Sequence, residues 1–286
     1  MGVHSYDLIN TVVLVVLLIM LGMTYGLRVM RSGRAQFERV DKQGGSVFLS
    51  KSLMEMAYWG MQPMARILIF CKITPNAISW ASFFFGLVAG ACLAFGHFGF
   101  AGVFAGFSGV LDSLDGMVAR LTRKSSDAGE VLDAAVDRYA EFFFLGGLVL
   151  YYREIIILQL LALIALLGCF MVSYSTAKAE ALQVDPPKSS MRRPERALYL
   201  TLGAILSPVS ISTLEVASYS EGKPYAYPMV LAMGLVGIVS NFSAAERFIV
   251  LARKIREQEK KLGEVSQSGI SEINPEESSQ HILSAR

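Results

Sequence analysis

The chain alternates between long apolar runs and short polar connectors. Seven runs approach the roughly 20 apolar residues that span a bilayer as a helix, namely 8–27, 76–97, 98–119, 131–151, 155–178, 197–216 and 226–249. Composition agrees with this pattern, because only 17% of the 286 residues are charged and mean hydropathy is +0.46, whereas about a quarter of a soluble domain is charged. We therefore predict an all-α integral membrane protein.

The remaining segments suggest three parts of the chain. Residues 1–46 are expected to hold an N-terminal transmembrane helix and a basic linker, residues 47–256 the main domain, and residues 257–286 a disordered cytoplasmic tail, since the tail lacks hydrophobic periodicity. Within 47–72, apolar and polar positions alternate at helical spacing, which predicts an amphipathic helix on the cytoplasmic membrane surface. An ordinary soluble connector is the alternative for that stretch.

Lysine and arginine are distributed unevenly along the chain. They cluster in 28–72, 120–124, 188–196 and 253–261 and are absent from 1–7. Basic loops usually stay on the cytoplasmic side. With seven spans, this places the N-terminus outside and the C-terminus inside, and we predict the cytoplasmic (inner) membrane as the location.

Four aspartates stand in one short stretch, "DSLDGMVARLTRKSSDAGEVLDAAVD". Asp112 and Asp115 are three residues apart, and Asp133 and Asp137 are four apart, so each pair shares one face of a helix. Antiparallel helices joined by the short connector can bring the two pairs together. Four converging carboxylates raise one another's pKa unless cations are held among them, and divalent ions with oxygen ligands fit that role.

Two other interpretations of the aspartates stay open at this point. The carboxylates could simply face water at two helix ends, or they could belong to a cation transporter, although transporter carboxylates usually lie near the bilayer midplane. The neighbouring residues favour a bulky phosphate ligand instead. Gly116, Ala119 and Gly129 are small enough for close approach, and Arg120 can neutralise phosphate.

The full spacing resembles a known signature. Asp112-x-x-Asp115-Gly116-x-x-Ala119-Arg120, eight residues, then Gly129-x-x-x-Asp133-x-x-x-Asp137 is similar to the motif of the CDP-alcohol phosphotransferase family. Members transfer a substituted phosphate from a CDP-linked donor to an alcohol and release CMP. The resemblance covers about 47–256, which makes this segment the CDP-alcohol phosphotransferase domain, and it implies a six-helix core and a homodimer. The extra N-terminal transmembrane helix and the cytoplasmic amphipathic helix add to that core.

The same resemblance implies roles for the motif residues. The metal ligands would be Asp112, Asp115, Asp133 and Asp137, around two magnesium or manganese ions, and Asp137 would also be the general base. The CDP donor would be bound by Asp112, Gly116, Ala119, Arg120 and Gly129. This chemistry is reasonable, since a metal neutralises the diphosphate and a nearby carboxylate can accept the proton of the attacking hydroxyl.

A second stretch bears on the acceptor alcohol. Ser173-Tyr174-x-x-Ala177-Lys178-Ala179-Glu180 and Arg193-Pro194-Glu195-Arg196 resemble the phosphatidylinositol-phosphate synthase branch of the family. The resemblance implies that Ser173, Arg196 and Arg247 bind inositol phosphate. Bacterial members of the branch usually carry lysine where this chain has Thr176.

The expected reaction is phosphatidyl transfer from CDP-diacylglycerol to a polyol phosphate, with inositol phosphate first. Glycerol 3-phosphate or a free alcohol is the alternative acceptor. The expected partners are these two substrates, the lipid bilayer and a second copy of the chain, and no nucleic acid is expected.

Overall fold

A computed structural model describes residues 3–34, 37, 50–185, 187, 191–213, 219–220 and 223–271. In that part of the chain there are eight helices, α1 Val3–Ser32, α2 Lys51–Phe70, α3 Pro75–Ala94, α4 Phe98–Leu121, α5 Asp127–Tyr151, α6 Ile156–Ala181, α7 Arg193–Thr213 and α8 Tyr227–Ser271. A short hairpin, β1 Tyr219–Ser220 with β2 Lys223–Pro224, is antiparallel. The all-α prediction is confirmed, and each predicted span falls on its own helix.

Four of the helices are long and apolar enough to cross a membrane. They cover Tyr6–Ser32, Pro75–Ala94, Ile156–Ala181 and Tyr227–Lys260. The other three predicted spans correspond to α4, α5 and α7. Composition alone does not mark these as spans, because they carry the charged side chains of the candidate site.

Local sequence explains where several helices begin. Thr74 accepts a hydrogen bond from the Ala77 amide, and Pro75 occupies the first turn of α3. Ser126 accepts from the Gly129 amide at 3.1 Å and so caps α5. The start of α4 is capped from another helix, since the Asp7 carboxylate of α1 accepts from the Phe100 amide at 3.2 Å.

Helix α3 organises the bundle around the aspartate motif. Both α4 and α5 pack mainly on α3, while α6 packs on α8, and α7 packs on α4 and α8. The approach of α3 to α5 is close, because a Cβ at Gly90 would lie 2.3 Å from the Phe143 carbonyl oxygen. The two helices that carry the aspartates are thus held in place through a third.

The N-terminal helix is joined to this bundle by buried polar contacts. The Thr11 hydroxyl donates to the Ile205 carbonyl at 2.8 Å, and the Tyr25 hydroxyl donates to Glu55 of α2 at 3.3 Å. Most of the remaining surface of α1 is apolar and exposed. Helix α1 thus packs on α2, α4 and α7 through one face and leaves its other face exposed.

The last helix extends into the segment predicted to be a disordered tail. Helix α8 continues to Ser271, so 257–271 is helical, and the rest of the predicted tail, 272–286, lies outside the described residues. This segment is polar but rich in Glu, Gln and Lys, which are good helix formers. Lack of an apolar face argued for disorder, yet a helix that is already started can extend without one.

Candidate active site

Three of the four aspartates converge. Oxygen atoms of Asp112 on α4 and of Asp133 and Asp137 on α5 all lie within 4.8 Å of one another. Asp137 is buried and the other two are half-buried. Three carboxylates at this spacing fit a divalent ion that prefers oxygen ligands, such as magnesium or manganese.

The fourth aspartate, Asp115, is buried against α3. It is 4% exposed, and its carboxylate accepts a hydrogen bond from the Ser79 hydroxyl of α3 at 2.6 Å. It remains an electrostatic neighbour of Asp133 and Asp112 but lies outside the three-carboxylate group. Ser79 was not predicted, because nothing in the local sequence links residues 36 positions apart.

Arg193 is a site residue whose contacts the sequence did not reveal. Its Nη1 donates to Asp112 at 2.9 Å, and its Nη2 forms an ion pair with Asp137. The first turn of α7 places it there, since the Glu195 carboxylate accepts from the Arg192 amide at 2.7 Å. Arg193 precedes the span 197–216. Burial by itself would lower its pKa, but the nearby carboxylates of Asp112 and Asp137 raise the pKa by more than burial lowers it, so the guanidinium stays charged.

Arg196 is paired with a further carboxylate on α5, that of Glu141. Its side chain is 1% exposed, and its Nε and Nη2 donate to Glu141 Oε1 at 3.1 and 2.7 Å. Burial would lower the pKa of Arg196, whereas Glu141 raises it, and the net change is upward. Glu141 was missed, although it continues the four-residue spacing of Asp133 and Asp137 along α5.

The other two predicted acceptor residues, Ser173 and Arg247, lie on α6 and α8. Arg247 is 5% exposed, and its Nη2 donates to the Thr176 hydroxyl at 2.7 Å. Thr176, the position at which this chain departs from the branch, therefore contacts a predicted acceptor residue. Ser173 lies one turn earlier on α6 and donates to the Cys169 carbonyl at 3.0 Å.

Arg196 and Arg247 are electrostatic neighbours. Among the described residues, Arg196 Nη1 and Arg247 Nε are both buried without a hydrogen-bond partner. Buried N–H groups without a partner are costly. Their arrangement suits an anion that accepts from both arginines.

The predicted donor-binding residues lie at the ends of α4 and α5 that carry the aspartates. Arg120 is exposed in the last turn of α4, and Gly129 is half-buried in the first turn of α5. A Cβ at Gly129 would lie 3.2 Å from the Ser126 hydroxyl oxygen. Gly116 and Ala119 are half-buried on α4, and these small residues keep the helix backbone accessible beside Arg120.

Comparison with known proteins agrees with this geometry. A family model described as CDP-alcohol phosphatidyltransferase matches residues 72–254. The chain therefore belongs to the CDP-alcohol phosphatidyltransferase family, and it is a transferase, as predicted. The cation transporter alternative is thereby set aside. The matched region begins after α2, later than the predicted start at residue 47.

Two curated relatives resemble the chain over most of that region. The phosphatidylinositol phosphate synthase of Corynebacterium glutamicum is 28% identical over 185 residues, covering 62% of this chain and 84% of the relative. The bifunctional IPC transferase and DIPP synthase of Archaeoglobus fulgidus is 29% identical over 195 residues, covering 64% of this chain. The aligned region spans only 37% of that bifunctional protein.

Solved structures show the same fold. Phosphatidylinositol phosphate synthase of Mycobacterium tuberculosis, crystallised with manganese and citrate, superposes with a TM-score of 0.57 at 23% identity over 67% of this chain and 88% of that one. The same protein with CDP-DAG bound gives a TM-score of 0.57 over 67% and 92%. The predicted membrane-enzyme fold is confirmed, and the manganese in that relative agrees with the carboxylate group found here.

Proposed function

We propose that the protein is a phospholipid synthase that transfers the phosphatidyl group of CDP-diacylglycerol to inositol phosphate and releases CMP. The observation that carries the acceptor assignment is the pair Arg196 and Arg247, buried and with N–H groups available. Arginine suits phosphate through charge-assisted hydrogen bonds. A free alcohol would leave those donors unused, so the pair favours an acceptor with its own phosphate.

The donor diphosphate lies, in this proposal, beside Asp112, Asp133 and Asp137. A magnesium or manganese ion held there, or two ions with Asp115 as a further ligand, would neutralise the diphosphate. Arg120 contacts the CDP portion, which Gly116, Ala119 and Gly129 allow to approach closely. Arg193 forms ion pairs with Asp112 and Asp137, and a neighbouring cation favours the charged form of a carboxylate.

The chemical step uses Asp137 as the general base. The acceptor hydroxyl oxygen forms a bond to the phosphorus of the phosphatidyl group, and its proton passes to the Asp137 carboxylate. The bond between that phosphorus and the oxygen of the CMP leaving group breaks. Arg196, Arg247 and Ser173 hold the acceptor, so the hydroxyl is presented in a fixed orientation.

The proposal extends to membrane placement and assembly. We place the N-terminus outside, the site and C-terminus in the cytoplasm of an inner-membrane protein, and the catalytic region within 47–256 of a homodimer. The basic segments support this orientation. Exposed apolar side chains of α2, among them Ile67 and Phe70 at 61% and 87%, support its position on the membrane surface.

CMP release from the purified protein tests the proposal. CDP-diacylglycerol is supplied with inositol phosphate, free inositol or glycerol 3-phosphate in parallel, and lipid-soluble product is scored. We expect inositol phosphate to give the highest kcat/KM. Preference for free inositol or for glycerol 3-phosphate would overturn the acceptor assignment, and no CMP release with any alcohol would overturn the donor assignment as well.

A further inference from the structure

We propose that Glu141 is a positioning residue that fixes the orientation of Arg196 toward the phosphate of the acceptor. This inference rests on the proposed function, since it assigns Arg196 to acceptor binding. Glu141 lies outside the three-carboxylate group, and the transfer step described above does not use it.

The contact between the two side chains uses one edge of the guanidinium. Nε and Nη2 of Arg196 both donate to Glu141 Oε1, at 3.1 and 2.7 Å. Nη1 is buried and has no hydrogen-bond partner among the described residues. Glu141 therefore holds one edge of Arg196 and leaves Nη1 for another acceptor of hydrogen bonds.

The carboxylate that holds Arg196 is itself held. Its other oxygen, Oε2, accepts from Arg138 Nη1 at 3.0 Å. Both oxygens of Glu141 are thus engaged by different arginines, which fixes the plane of the carboxylate. A planar guanidinium paired with a fixed carboxylate loses most of its rotational freedom.

Helix geometry connects this pair to the chemistry. Glu141 is four residues after Asp137 on α5, so the two side chains share one face of the helix. One rigid helix therefore carries the base for the acceptor hydroxyl and the residue that orients a cation for the acceptor phosphate. This arrangement sets the distance between the two ends of the same substrate.

A purely structural ion pair predicts different kinetics. If Glu141 only stabilised the bundle, its loss would lower the amount of folded enzyme and would not act selectively on one substrate. If it positions Arg196, its loss mobilises Arg196 and raises the KM for the acceptor. The KM for CDP-diacylglycerol should then stay unchanged.

Steady-state kinetics with inositol phosphate separate the two. We expect Glu141→Gln, which keeps the shape and removes the charge, to raise the acceptor KM about tenfold, equivalent to about 1.4 kcal/mol. Glu141→Asp keeps the charge on a shorter side chain and should raise this KM less. The control is Glu154→Gln, which removes an exposed carboxylate paired with Arg153 away from the site and should leave all constants unchanged.

A double-mutant cycle with Arg196→Ala adds a second criterion. If Glu141 acts through Arg196, adding Glu141→Gln to Arg196→Ala produces no further rise in the acceptor KM. Additive effects in the cycle overturn the inference. So does an acceptor KM for Glu141→Gln that equals that of Glu154→Gln, or an equal rise in the KM of both substrates.

Two other results also decide between the inference and its alternatives. If Glu141→Gln is not recovered as folded protein, Glu141→Asp decides, and an acceptor KM unchanged from the unmutated enzyme overturns the inference, whereas a selective rise supports it. If the unmutated enzyme does not use inositol phosphate at all, the proposed function fails, and the inference fails with it. Use of inositol phosphate by the unmutated enzyme with no selective effect of Glu141 refutes the inference alone.

Discussion

Replacing Ser79 by alanine tests whether α3 holds Asp115 for the metal site. The Ser79 hydroxyl donates to the buried Asp115 carboxylate at 2.6 Å, a length typical of a strong charge-assisted hydrogen bond. A hydrogen bond to a charged group contributes about 1.5–3 kcal/mol. Loss of a side chain that orients a metal ligand typically weakens metal affinity or activity about 10- to 100-fold.

Ser82 provides a matched control on the same helix. It is also buried, and its hydroxyl donates to the Ser108 carbonyl at 2.9 Å. This contact is neutral, so Ser82→Ala should cost about 0.5–1.5 kcal/mol in the free energy of unfolding. The Ser82 hydroxyl contacts only the carbonyl and the hydroxyl of Ser108 among the described residues, so Ser82→Ala should leave the metal requirement unchanged.

The assay is CMP release at saturating substrates, measured as a function of magnesium or manganese concentration. We expect Ser79→Ala to need about 10- to 100-fold more metal for half-maximal activity, and Ser82→Ala to match the unmutated enzyme. The two variants are compared at equal amounts of folded protein. Equal metal requirements for both variants would refute the idea that Ser79 acts on the site through Asp115.

Three further predictions concern the metal, the base and the acceptor. Chelation should abolish CMP release, and added magnesium or manganese should restore it; full turnover in chelator would contradict the metal site. Asp137→Asn should lower kcat about 100- to 10,000-fold and leave binding of the CDP donor largely intact, as measured by equilibrium binding; a variant with normal kcat would show that another group takes the proton. Thr176→Val removes the hydroxyl that accepts from Arg247 at 2.7 Å and should raise the acceptor KM about 10-fold or more, as for other hydrogen bonds to charged groups, whereas Thr176→Ser should retain most of the affinity; an unchanged acceptor KM in Thr176→Val would remove Arg247 from the acceptor site.

Residue spacing was sufficient to predict that three of the four aspartates converge. Helical periodicity put Asp133 and Asp137 on one face, and the short connector made convergence with Asp112 plausible, as the structure bears out. The packing that brings the aspartates together was not predictable, because α4 and α5 pack mainly on a third helix, α3. The sequence contains no local signal for which third helix lies against both.

Partners of charged side chains were harder to predict than the side chains themselves. Arg196 and Arg247 were identified from their motifs, but their contacts with Glu141 and Thr176 join residues 55 and 71 positions apart. Glu141 did have a signal, since it extends the spacing of Asp133 and Asp137 by one further turn. Arg193 had none, because its ion pairs depend on how the first turn of α7 is oriented in the bundle.

The distribution of the site over the helices has a consequence for how such enzymes can diversify. The carboxylate group belongs to α4 and α5, whereas Ser173 and Thr176, Arg196, and Arg247 belong to α6, α7 and α8 respectively. If the proposed roles hold, substitutions in the C-terminal half alter which alcohol is accepted, while the carboxylates of the N-terminal half stay unchanged. A new lipid headgroup would then require exchanges on these three helices, and the two halves meet where Arg193 pairs with Asp112 and Asp137 and where Arg196 pairs with Glu141.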